Sequence, residues 1–159
     1  MSRAKTSLRP VGAGDRDFLL RLYGGTREAE LRLVPWTPEQ KAEFVEMQFR
    51  AQDSYYREKF PAAQFSVIEA EGEPAGRVYV VRDDARVHIL DITVLPSQRR
   101  RGIGSAVLRE LQEEAASKRV PLTIYVDEAS ESPAIFEKLG FERASGDGVS
   151  VLMQWSGGG

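Results

Sequence analysis

The alternation of apolar and polar positions divides the chain into short strand-like and longer helix-like stretches. Ser7 to Val11 reads as a first strand, followed by turn glycines at Gly12 and Gly14 and an N-cap at Asp15 for a helix carrying Phe18, Leu19 and Leu22. The Gly24-Gly25 pair predicts the end of that helix or a break in it. A second helix is expected from Pro38 to about Lys59. Thr37 supplies an N-cap hydroxyl, Pro38 suits the first helical position, and Gln40 stands three residues after the cap. Phe44, Met47, Ala51 and Tyr55 recur along it at helical spacing, with Phe49 and Tyr56 on a neighbouring stripe, and Pro61 closes it.

After Gln64 the period becomes that of strands. Phe65 to Ala70, Ala75 to Val81 and Arg86 to Leu95, separated by turns at Glu71-Gly72-Glu73 and Asp83-Asp84, predict a three-stranded antiparallel meander. Pro96 stops the third strand. Gly102 to Lys118 then carries Ile103, Val107, Leu108, Leu111 and Ala115 at helical spacing. Pro121 to Val126 is another strand, Ser132-Pro133 opens a short helix through Phe136 and Leu139, and Gly140 is its C-cap. A last strand, Val149 to Trp155, precedes Gly157-Gly158-Gly159, expected to be a flexible tail. Without repeats or a dividing linker, residues 1–156 are expected to form a single domain.

Composition narrows the function classes. With 159 residues, 42% apolar and 29% charged, the chain can bury one ordinary core. A net charge of −2 recommends neither a nucleic-acid nor a membrane partner. The lack of cysteine excludes disulfides, thiolate metal sites and a cysteine nucleophile, and a single histidine, His88, removes metal sites built on paired imidazoles, so no metal is predicted. No apolar run approaches the roughly 18 residues of a membrane span. A soluble cytoplasmic protein, monomer or homodimer, is expected.

Against this acidic background one segment stands out. Arg99-Arg100-Arg101-Gly102-Ile103-Gly104 lies between a strand and a helix. A helix N-terminus offers unpaired N–H groups and the positive end of the helix dipole, glycines remove side-chain bulk, and arginines bring forked donors suited to a pyrophosphate. Glycine early in a helix costs up to about 1 kcal/mol relative to alanine, so two of them favour a backbone that a ligand approaches closely.

Val94 to Leu108, with V-x-P followed by R-x-x-G-x-G and a helix, resembles the acetyl-CoA motif of the GCN5-related N-acetyltransferase (GNAT) superfamily. Ala134 to Phe141 is similar to that family's later helix ending in a Gly-Phe pair. The predicted element order extends the resemblance over nearly the whole chain. It implies an α/β (α+β) fold: a central, twisted, mixed, mostly antiparallel sheet flanked by about four helices. The third meander strand and the strand at Leu122 to Val126 would splay apart to admit the pantetheine arm of acetyl-CoA, the acyl donor. The backbone around Ile92 to Val94 would pair with that arm. Amides from Arg99 to Ser105, thus Arg101, Gly102, Ile103 and Gly104 with them, would bind the pyrophosphate, Arg99 and Arg100 adding side chains, and Phe136 would lie by the cofactor.

The resemblance also has departures. A tyrosine commonly stands four residues before the glycine of the Gly-Phe pair, where it is proposed to protonate the departing thiolate; here the residue is Phe136. An asparagine often found seven residues earlier is Ala129. Tyr125 or water would have to supply that proton. Histone-acetyltransferase relatives carry a glutamate base eleven residues before the glycine motif, and an ungapped count from Arg99 lands on His88. His88, Leu90, Ile92 and Val94 share one strand face, while Asp91, the next base candidate ahead of Glu69 and Tyr79, shares the other with Thr93. The acceptor site of the superfamily involves the first two helices, here about Tyr23 to Phe60, where Trp36 and Tyr56 are the candidate substrate-binding residues. The expected activity is acetyl transfer to a primary amine of a small molecule, with a peptide N-terminus or lysine as the variation. An acyl-CoA-binding module without turnover is the competing reading.

Overall fold

The computed structural model describes residues 5–99 and 101–157. Along the chain run β1 (Thr6–Pro10), α1 (Arg16–Arg32), α2 (Pro38–Lys59), β2 (Gln64–Ala70), β3 (Glu73–Arg82), β4 (Val87–Val94), α3 (Ile103–Lys118), β5 (Leu122–Asp127), α4 (Ser132–Lys138), β6 (Glu142–Gly146) and β7 (Ser150–Trp155). Short 3-10 turns occupy Ala13–Asp15 and Pro96–Gln98. The seven strands follow the order β1-β2-β3-β4-β5-β7-β6 in one mixed sheet. By their contacts the described residues fall into two units, one within 1–77 and 93–103, the other within 78–92 and 104–159.

In the first unit β1 pairs antiparallel with β2, from Thr6 opposite Ala70 to Pro10 opposite Ser66. Arg9 ties the end of β1 down, donating from Nε to Glu69 at 2.9 Å and from its terminal nitrogens to Asp15 at 2.7 and 2.8 Å. Asp15 is 8% exposed, stands at the N-cap of α1 and also accepts the Gly12 amide at 2.7 Å. The hydrogen bonds from Arg9, and then from Gly12, lower its pKa to about 2. α1 runs unbroken through Gly24 and Gly25, against the expected break. Burial of Leu19, Leu22, Tyr23 and Leu31 along one face outweighs two glycine penalties of about 1 kcal/mol each, and Gly24 lies directly against Val45 of α2.

α2 begins with the expected reciprocal cap: Gln40 donates its amide to the Thr37 hydroxyl at 3.1 Å, and its side-chain oxygen accepts the Thr37 amide at 2.9 Å. Its buried face differs from the expected stripe. Phe49 is 4% exposed and packs with Leu19 and Tyr23, and Val45 joins that cluster. Met47 and Tyr55 are 57% and 50% exposed. The apolar stripe through Met47 and Tyr55 has helical period but belongs to the outer surface, because period alone does not say which of two adjacent stripes meets the core. In β3, Gly76 allows the backbone of β4 to come close, since a Cβ there would sit 2.2 Å from the Thr93 carbonyl oxygen.

The second unit is built around β5. It pairs antiparallel with β7 along its whole length, from Leu122 opposite Trp155 to Asp127 opposite Ser150. β6 adds to β7 with a bulge between Arg143 and Ser145. The sequence reading did not anticipate β6: all five of its residues are exposed, so it has no apolar alternation to detect. Val107, Leu108, Leu111 and Ala115 of α3 are buried, as are Pro133 and Phe136 of α4. Gly140, at φ +94°, ends α4 as expected. Gly157 is exposed and without regular structure, and a Cβ there would sit 2.8 Å from that of Ala116. Residues 158 and 159 lie outside the described residues. Among the described residues no helix is long and apolar enough to cross a membrane.

Candidate active site

β4 and β5 run parallel, and their pairing is short: Val87 faces Leu122, His88 faces Thr123 and Ile89 faces Ile124. β4 continues to Val94 and β5 to Asp127 without further partners between the two strands. From Leu90 and Tyr125 onward the two strands no longer pair with each other. A gap between two parallel strands is suited to an extended, amide-containing chain that runs along them as a strand would. Both Ile92 and Val94 lie on β4 beyond that pairing and are half-buried.

β4 leads directly into the basic loop. Leu95 donates its amide to Ala75 at 2.8 Å, and the Pro96–Gln98 turn follows. The Arg99 amide donates to the Pro96 carbonyl at 3.3 Å inside that turn, and its side chain is exposed. Arg100 lies outside the described residues. The exposed Arg101 donates to Gln98. Gly102 has φ +78°, a left-handed conformation that costs other residues about 1–2 kcal/mol. Ile103, 1% exposed, then anchors the first turn of α3. Because α3 starts at Ile103, the amides of Ile103, Gly104 and Ser105 have no carbonyl four residues back within the helix. First-turn amides without a helical acceptor, a sharp glycine turn and exposed arginines suit a pyrophosphate, and the gap where β4 and β5 stop pairing suits a pantetheine arm. These residues fit acetyl-CoA.

The proposed proton-handling residues lie close together. His88 is 5% exposed, with Nδ1 2.7 Å from the Thr123 hydroxyl oxygen. Its ring stands edge-on to Tyr125, the centroids 5.5 Å apart at 73°. Burial, and secondarily the nearby Arg86 charge, lowers its pKa to about 4, while Asp83 opposes weakly. His88 therefore sits in the paired part of β4 with its ring buried. Tyr125 is different: it is 57% exposed, one residue beyond the last paired position of β5. Asp91 is half-buried on the opposite face of β4. Phe136 is 8% exposed and packs edge-on against Phe141 at 5.1 Å, so it belongs to the core under α4.

Trp36 and Tyr56 are both in the first unit. Trp36 is 41% exposed and meets Phe44 edge-on at 5.3 Å; Tyr56 is half-buried, its ring 5.9 Å from that of Tyr55. Thr123 is a residue that sequence reasoning missed. It shares a face of β5 with Tyr125, and only the parallel register to His88 reveals the contact between Thr123 and the imidazole.

Comparison with known proteins agrees with this geometry. Residues 29–141 match the model of the acetyltransferase (GNAT) family. A candidate ribosomal protein bS18-alanine N-acetyltransferase of Bacillus subtilis is 27% identical over 169 residues, covering 96% of each chain. The PaiA N-acetyltransferase of Thermoplasma acidophilum, solved with coenzyme A, has a TM-score of 0.69 at 15% identity, with 96% of this chain and 99% of that one covered. An acetyltransferase of Elizabethkingia anophelis with acetyl-CoA bound has a TM-score of 0.60 at 16% identity, covering 95% and 97%. With the family match reaching across the basic loop and over most of its length, this chain belongs to the acetyltransferase (GNAT) family and is an N-acetyltransferase that draws its acetyl group from acetyl-CoA.

Proposed function

We propose that the protein acetylates a primary amine on a small molecule by direct attack of the amine on the thioester. The observation that carries the reading is the three-residue pairing of β4 with β5, beyond which the two strands no longer pair with each other, together with the Gly102 turn. The loop amides from Gly102 to Ser105 and the side chains of Arg99, Arg100 and Arg101 hold the donor's phosphates. Ile92 and Val94 pair with its arm through their backbone. Trp36 and Tyr56 contribute aromatic surface to the acceptor site.

The amine must arrive deprotonated. With His88 buried and its pKa lowered to about 4, the acceptor's proton passes to solvent, with Asp91, ahead of Glu69 and Tyr79, the next side-chain candidate for relaying it.

A second reading is favoured by the Bacillus subtilis relative, whose name specifies a protein N-terminal alanine. The acceptor would then be an α-amino group on a polypeptide. Thiol release from acetyl-CoA, followed with spermidine, tyramine, alaninamide and a hexapeptide beginning with alanine, separates the two. Turnover of the small amines above the peptide supports the first reading. Peptide turnover alone supports the second. Tight acetyl-CoA binding with no thiol release from any amine means a binding module and overturns both.

A further inference from the structure

The geometry points to Tyr125 as the group that protonates the departing CoA sulfur, with Thr123 and His88 as the positioning pair that fixes its ring. This rests on the acetyl-transfer reading above and adds the acid that Phe136 cannot supply. The phenylalanine has no exchangeable proton and is enclosed against Phe141.

Three observations carry the assignment. Tyr125 is the first residue of β5 beyond its last pairing with β4, at the vertex where the two strands separate. A thin arm entering along the β4 edge reaches deepest there, so its thioester end lies beside this residue. Second, β7 holds the Tyr125 backbone through Leu152, while 57% of the residue stays exposed. The phenol is thus anchored by its strand yet open to substrate and to solvent. Third, Thr123 and Tyr125 project from the same face of β5, and the parallel register puts His88 next to Thr123. The 2.7 Å contact between His88 Nδ1 and the Thr123 hydroxyl fixes the imidazole plane, and the edge-on contact at 73° passes that orientation to the tyrosine ring.

The charged groups that bear on the imidazole are Arg86 and Asp83, and burial favours the uncharged ring, so it orients without exchanging a proton.

In the step itself the amine lone pair forms the C–N bond and the C–S bond breaks with its electron pair leaving on sulfur. The Tyr125 phenol gives its proton to that sulfur, yielding the free thiol. The nitrogen loses its extra proton to water, and the exposed phenolate regains one from water. The net reaction converts acetyl-CoA and amine into acetylamide and CoA, with the enzyme unchanged.

The test uses the full chain with acetyl-CoA and the fastest amine among spermidine, tyramine, alaninamide and the alanine hexapeptide. Tyr125→Phe, at an exposed position and nearly isosteric, should lower kcat roughly 10- to 100-fold, at the low end of general-acid effects because a thiolate already leaves well. KM for acetyl-CoA should change by less than about threefold. Thr123→Val should lower kcat by a smaller factor, Thr123→Ser should restore it, and Thr123→Val should have no further effect in the Tyr125→Phe background. A merely structural role for Thr123 would lower kcat further there. Unchanged kcat in Tyr125→Phe, with wild-type turnover present, overturns the proposal alone. Absence of thiol release by the wild type with every amine overturns the acetyl-transfer reading and this proposal with it.

Discussion

Burial of His88 has a measurable thermodynamic consequence. Its pKa in the folded protein is about 4, against an ordinary value of 6.5. Between these values the unfolded chain binds a proton that the native protein refuses, so stability falls as the pH drops from about 6.5 and levels off below about 4. Above 6.5 both states leave the ring neutral and the contribution is constant. At about 1.36 kcal/mol per pH unit, the shift is worth at most about 3 kcal/mol. For a chain of this size that corresponds to about 6–12 °C in Tm. The clean measurement is a difference: thermal unfolding of the wild type and of His88→Gln at pH values between 7.5 and 4. Carboxylate titrations elsewhere affect both proteins alike and cancel. The wild type should lose roughly this much more than the variant across the range, most of it between pH 6.5 and 4. Parallel Tm curves would refute the buried, neutral imidazole and with it the ring orientation assigned to Tyr125.

Three further outcomes are expected. Gly102→Val, forced toward φ +78°, should weaken acetyl-CoA binding at least tenfold in calorimetric titration while costing about 1–2 kcal/mol of stability; unaltered affinity would remove the loop from the donor site. Gly76→Ala places a methyl group 2.2 Å from the Thr93 carbonyl and should cost about 1–3 kcal/mol or more in urea unfolding. Asp15, with its pKa lowered to about 2 by Arg9 and Gly12, contributes stability that is present above pH 3.8 and lost as the pH falls through about 2. Asp15→Asn should lower stability at pH 7 by about 1–2 kcal/mol, allowing for solvent screening around Arg9, and should blunt acid unfolding.

Much of this was legible in the sequence because local rules decide it. The Thr37–Gln40 cap, the Gly140 terminus and the strand-to-loop-to-helix passage around Gly102 each follow from residues within one turn of one another. What escaped depends on partners far along the chain. α1 passes through two glycines because Val45, from another helix, packs on it. Met47 and Tyr55 keep helical spacing yet face outward, since Phe49 occupies the inward stripe. His88 could be placed on a strand face by alternation, but its burial depends on Thr123 and Tyr125, thirty-five and thirty-seven residues away. The family pattern exposed the missing tyrosine at Phe136 and left Tyr125 as a candidate; the parallel register of β4 and β5 was needed to set that phenol beside His88, just beyond the last pair of the two strands.

The outermost strands also constrain how copies of this protein meet. β1 ends in Pro10, which has no amide hydrogen to offer, and presents the charged Arg9; β6 carries a bulge and Arg143, paired to Glu128 at 2.6 Å. Neither border presents the flat, uncharged row of amides and carbonyls on which another chain could extend the sheet. Self-assembly by strand addition is thereby discouraged at the two places where an open sheet is most vulnerable, including during folding at high concentration. If this enzyme forms dimers, the joining surface should be sought on helices or on a face of the sheet.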